Sequence, residues 1–262
     1  MGIEQLKSRK NGEKIACLTA YTAPVAACLD AHVDLMLVGD SLGMVVYGLS
    51  STREVDLEMM CRHGAAVTRS ASQAWVVVDM PCGTYEDSPA QALDNASHLM
   101  RETGCHAVKL EGGHARAAII AHLVDNNIPV MAHIGLLPQE SANSYRVQGR
   151  DETDAQRLMR DAGGVQEAGA FACVIEATRA PVAKQITQMI DIPTIGIGAS
   201  GACDGQILVS EDMLGMTQGR LPRFVKFYSN LAGTIQEAAA QYCHEVREGI
   251  FPDAGHVYGD ED

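Results

Sequence analysis

At 262 residues, 47% hydrophobic and 20% charged, the chain holds enough apolar material for one large core. That length suits one α/β barrel of about 250 residues or two average domains, and a single domain over residues 1–262 is the simpler reading. A formal net charge of −13 excludes nucleic acid and anionic membrane surfaces as partners, because phosphate recognition needs a basic face.

The leader MGIEQLKSRKNGEK has no apolar centre, and no apolar run reaches the roughly 18 residues of a membrane span, so a cytoplasmic protein is expected. The eight cysteines are never spaced as CxxC and read as buried free thiols rather than a disulfide framework. Residues 14–20 then form a first strand, and 24–32 a helix with proline in its first turn. DLMLVGDSLGM (34–44) is an apolar run that stops at Gly39 and delivers an acid and a hydroxyl, Asp40 and Ser41. Asp56 is placed to cap a helix running on through MMCRHGAAV, and WVVVD is the third strand, ending at Asp79. Ser88 and Pro89 open a helix that Gly104 stops; HAVKLEG follows as the fourth strand, and residues 114–127 read as helical. PVMAHIG is the fifth strand and carries His133; after it comes the longest irregular stretch, LLPQESANSYRVQGRDE. A helix over 153–168, the strand AFACVIE ending at Glu176, a helix from Ala180 and the strand IPTIGIG complete seven cycles. QILVS is a weaker eighth strand, and residues 230–249 form a long terminal helix.

Strand and helix alternating through eight cycles imply parallel strands with helical crossovers. Nearly every strand is continuously apolar, as strands covered on both faces are. Polar groups follow five of them: Asp40, Asp79, Glu111, His133 and Glu176. In an open sheet these would be strung along an edge, whereas a (β/α)8 TIM barrel gathers them at one mouth.

Three carboxylates at one opening, Asp40, Asp79 and Glu111, raise one another's pKa unless a cation neutralises them. An oxygen-only donor set favours Mg²⁺ over Zn²⁺. Lys109 and Glu111 lie two apart on one strand and share its inner face, with Leu110 turned outward. Lys109 is open to three readings: a structural ion pair, a cation for a substrate carboxylate, or a Schiff-base lysine. Glu176, distant from the three acids, suits proton transfer; His133 suits a hydrogen-bond donor, a second base or a core histidine. The glycine-rich GIGASGACDGQ is either a phosphate loop or a tight turn.

Taken together, VGDSLGM, VKLEGG, AHIGLLPQ, YRVQGR and GIGA…DGQILV resemble the ketopantoate hydroxymethyltransferase family, in family order and over almost the whole chain. The resemblance implies a Mg²⁺-dependent barrel of the phosphoenolpyruvate/pyruvate superfamily type, assembled as a homodecamer. It implies hydroxymethyl transfer from 5,10-methylenetetrahydrofolate to 3-methyl-2-oxobutanoate, with a related aldolase or lyase on another 2-oxo acid as the alternative. By motif, Asp40, Asp79 and Glu111 match the family's metal and substrate acids, Ser41 and Lys109 its substrate-binding positions, His133 its pocket histidine and Glu176 its proton acceptor. Departures cluster at the expected mouth: Arg53 and Glu54, Cys82 and Gly83, a shortened stretch between Gln139 and Tyr145, Ala177 to Arg179, and Ser200.

Overall fold

A computed structural model describes residues 3–141, 146–217, 219 and 221–259. The shortened stretch before Tyr145 lies partly outside the described residues. The chain divides into two compact units, Met1–Ser210 and Glu211–Asp262. In the first, eight parallel strands close in sequential order: β1 Ile15–Thr19, β2 Leu35–Val38, β3 Trp75–Asp79, β4 Ala107–Glu111, β5 Val130–Gly135, β6 Ala172–Glu176, β7 Thr194–Ile197 and β8 Gly205–Leu208. β8 pairs back onto β1, so the expected (β/α)8 barrel is the fold.

Helix α1 (Ile3–Lys7) precedes the barrel; α2 (Ala23–Leu29), α3 (Leu42–Val45), α4 (Leu57–Thr68), α5 (Pro89–Thr103), α6 (Ala117–Asp125), α7 (Glu152–Glu167) and α8 (Ala180–Met189) lie between strands. Local chemistry sets their ends. Asp56 accepts the Met59 N–H at 2.8 Å, Ser88 that of Gln91 at 3.1 Å and Asp151 that of Asp154 at 2.9 Å, each meeting an otherwise unpaired first-turn donor. Gly104 closes α5 at φ +67°, in the left-handed region where a Cβ is penalised.

Three elements depart from the sequence reading. α2 stops at Leu29, short of residue 32: Asp30 caps it with helical backbone angles while its carboxylate accepts the backbone N–H groups of Ser72, Gln73 and Ala74, and the chain tightens into a turn in which the His32 N–H donates to Leu29 O. The 114–127 segment opens as a 3₁₀ turn, His114–Arg116, before α6 begins. No helix separates β7 from β8, so the eighth cycle is incomplete. The glycine-rich segment there ends at Asp204, whose carboxylate takes Thr194 N–H, Asn11 N–H and the Lys10 ammonium, tying the chain's start to the barrel.

Alternation sorts each strand into two cores. Met36, Val38, Val76, Val78, Val108, Leu110, Cys173 and Ile175 pack outward among the helices. Leu35, Leu37, Trp75, Val77, Ala107, Met131, Val174 and Ile207 fill the interior, with Leu6 of α1 fully buried among them at the floor. α9 (Ser210–Met213) starts at the last residue of the first unit; the second unit holds α10 (Leu231–Arg247), where Asn230 caps the first turn through the Gly233 N–H. Tyr242 of α10 meets Phe251 edge-on at 5.6 Å. Among the described residues no helix is long and apolar enough to cross a membrane.

Candidate active site

The inward series continues past the apolar layers into polar side chains. Trp75 and Val77 are followed by Asp79, Ala107 by Lys109 and Glu111, Met131 by His133, and Val174 by Glu176. Strand register sets them side by side: Asp79 pairs with Lys109, Glu111 with His133, and Gly135 with Glu176. Asp40 is positioned differently. By alternation from Leu35 and Leu37 it would face outward, but the chain turns at Gly39 and the Asp40 N–H donates to Asp79 Oδ2 at 3.1 Å. A Cβ on Gly39 would meet Ser41 Oγ at 2.8 Å, so a larger residue there would displace the Ser41 hydroxyl.

All six expected polar groups of the strands and the β2 turn therefore meet at the C-terminal mouth. Lys109 Nζ lies 2.7 Å from Asp79 Oδ1 and 3.5 Å from His133 Nδ1. His133 joins two carboxylates, Nδ1 to Glu111 Oε1 at 3.5 Å and Nε2 to Glu176 Oε2 at 3.2 Å. Ser41, adjacent to Asp40, shares a 2.8 Å hydrogen bond with the Tyr21 hydroxyl.

Electrostatics follow from burying so many charges together. Burial, then the Asp79 and Glu111 carboxylates, push Asp40 up to about 8. Burial also raises Asp79, against the pull of Lys109. For Lys109 desolvation disfavours the charge, but Asp79, Glu111 and Asp40 outweigh it and hold the ammonium protonated. Burial and Lys109 oppose the His133 imidazolium, yet its bonds to Glu111 and Glu176 carry it up to about 9. Glu111 resists its own burial through His133, Lys109 and the Gln139 N–H, and lies below the usual range.

Two participants carry no periodic signal and were not among the expected site residues: Gln139 and Tyr85, both buried loop residues. Gln139 Nε2 donates to Asp40 Oδ2 at 2.7 Å and to Met80 O at 3.0 Å, while its main-chain N–H donates to Glu111 Oε2 at 3.0 Å. The Tyr85 hydroxyl donates to Gln139 Oε1 at 2.6 Å. Gln139 could have been found as the last residue of the AHIGLLPQ motif; nothing in the sequence marks Tyr85. At the outer rim Cys82, Arg53 and Glu86 interact, so two of the sequence departures touch.

Asp40, Asp79 and Glu111 fit a hard divalent cation in donor type and in charge, since three buried carboxylates share one lysine. Among the described residues no three His, Cys, Asp or Glu side chains already converge as a coordination set: Lys109 takes an oxygen of Asp79, and Gln139 one each of Asp40 and Glu111.

The profile of ketopantoate hydroxymethyltransferase matches residues 1–254. The chain belongs to the ketopantoate hydroxymethyltransferase family. Its relatives in that family include the 3-methyl-2-oxobutanoate hydroxymethyltransferases of Cereibacter sphaeroides, 56% identical over 97% of this chain and 92% of that protein, and of Bordetella petrii, 52% identical over 97% and 93%. The ketopantoate hydroxymethyltransferase barrel is shared more widely. Phosphonopyruvate hydrolase aligns with a TM-score of 0.63 at 13% identity, over 100% of this chain and 93% of that one. A 2,3-dimethylmalate lyase of the PEP mutase/isocitrate lyase superfamily aligns at 0.63 and 15% identity, over 97% and 87%. At those identities the likeness is one of fold.

Proposed function

We propose that the chain transfers a one-carbon unit from 5,10-methylenetetrahydrofolate to 3-methyl-2-oxobutanoate, giving 2-dehydropantoate and tetrahydrofolate with uptake of water, a step of pantothenate synthesis. The observation that carries this reading is the 3.2 Å meeting of His133 with Glu176 on the rim that also collects Asp40, Asp79, Glu111 and Lys109, in a chain of this family.

Asp40, Asp79 and Glu111 would hold Mg²⁺, which when bound acts as a Lewis acid and makes the C3 proton of a 2-oxo acid easier to remove. Glu176 takes that proton. His133 Nε2 stands 3.2 Å from Glu176 Oε2, close enough for its charge to hold that carboxylate in place. Lys109, protonated and anchored on Asp79, offers its remaining N–H groups to the substrate's anionic end. Ser41, held by Tyr21, offers a hydroxyl beside it. The carbon nucleophile then bonds to the one-carbon unit, whose bonds to the folate nitrogens are replaced by one to C3 and one to a water-derived hydroxyl. The same reading implies a cytoplasmic homodecamer, which sedimentation of the purified chain checks.

Deuterium exchange at C3 of 3-methyl-2-oxobutanoate, followed by NMR with Mg²⁺ or EDTA, tests the assignment. Metal-dependent exchange in the wild type that disappears in Glu176→Gln is the expected result. No exchange in the wild type would sink the substrate, and the assay then moves to other 2-oxo acids.

A further inference from the structure

The acid cluster is bound together by a residue outside the expected constellation. Gln139 follows β5, 99 residues from Asp40 in the chain, yet its one side chain and its one N–H reach the segments that follow β2 and β3 and the end of β4. Both protons of its amide are committed, to Asp40 Oδ2 and to Met80 O, and its amide oxygen receives the Tyr85 hydroxyl. That pattern also settles which way the amide faces: a donor meets Oε1, and two acceptors meet Nε2. Tyr85 is fixed in turn, since its oxygen lies 3.3 Å from the Glu111 N–H and the Arg116 guanidinium stands 5.9 Å over its ring. Gln139 thus engages one oxygen of each acid, Oδ2 of Asp40 and Oε2 of Glu111, and leaves the other oxygen of each outside its own bonds.

We infer that Gln139, oriented by Tyr85, is a positioning residue that sets the carboxylates of Asp40 and Glu111 for a divalent cation. The inference rests on the metal reading of the site. Partners that orient ligands from behind are worth about 10- to 100-fold in metal affinity, and an amide suits the task here because it donates without adding charge to an already anionic group. The bonds of Gln139 go to Asp40, Glu111, Met80 and Tyr85 and not to Glu176, so it acts through the acids.

The test uses the full chain and Mn²⁺ as probe, with binding followed by electron paramagnetic resonance. Gln139→Met keeps the volume and the main-chain N–H but removes the amide; it should raise the Mn²⁺ dissociation constant about 10- to 100-fold. Tyr85→Phe should shift it in the same direction by less, and the double variant should be no weaker than Gln139→Met, because the two act in series. Exchange at C3 should recover in both single variants at saturating Mn²⁺, which damage to the fold would not allow. If Gln139→Met does not fold, Tyr85→Phe alone carries the test. Wild-type Mn²⁺ affinity in either single variant overturns the inference while leaving the metal reading intact. A wild type that binds no Mn²⁺ overturns both.

Discussion

Lys109 Nζ and Asp79 Oδ1 lie 2.7 Å apart on neighbouring strands, both side chains closed off from solvent. A buried pair of this kind costs desolvation on both sides, and removing one partner leaves the other charge uncompensated, at about 3–5 kcal/mol. Lys109→Met should therefore lower the urea midpoint of the protein in EDTA, with part of the loss returned by Mg²⁺. An unchanged midpoint would show that the pair carries no such cost.

The same pair decides between two uses of the lysine. An ammonium held protonated by Asp79, Glu111 and Asp40 is a poor nucleophile toward a carbonyl. Borohydride added with 3-methyl-2-oxobutanoate should leave the protein mass unchanged, and EDTA should abolish C3 exchange. A covalent adduct on Lys109 with activity surviving EDTA would reverse both expectations.

Gly135 ends β5 at φ +98°, and a Cβ there would lie 2.2 Å from the carbonyl oxygen of Glu176. Alanine is excluded by backbone conformation and by space together. Gly135→Ala should displace the strand end that carries Glu176, lowering C3 exchange at least about tenfold and destabilising the fold by about 1–3 kcal/mol. Circular dichroism melts and the exchange assay on one preparation read both effects.

Asp30 offers a pH dependence away from the mouth. Burial opposes its ionisation, but the Ser72 hydroxyl and the N–H groups of Ala74, Gln73 and Ser72 outweigh this and hold its pKa well below 3.8. A carboxylate depressed on folding contributes stability above the unfolded pKa and loses it as pH falls through the folded one. Asp30→Asn should cost about 2 kcal/mol at pH 7, and the gap to wild type should narrow below about pH 4. Urea midpoints for both proteins across pH 3–7 measure it; a gap that stays constant would refute the linkage.

What could be read from sequence depended on whether periodicity carries it. Asp79, Glu111 and Glu176 end apolar runs, and Lys109 shares a face with Glu111, so alternation alone directs them into the barrel. Asp40 follows a strand of opposite parity and is brought in by a turn at Gly39, yet its place after an apolar run marked it. Helix starts at Asp56 and Ser88 were legible because their side chains act on donors three residues away. Tyr85 and Gln139 sit in loops, where burial is decided by contacts 26 to 99 residues distant. Asp30 looked like an ordinary helix residue for the same reason: the loop that its carboxylate holds lies 42 residues further on.

Leu6 makes the barrel a vessel with a stopper. With that end filled by side chains, the polar groups of the mouth can be reached from one side only. Whatever the site takes in and whatever it gives up must cross the same rim, so the loops after the strands alone decide what passes.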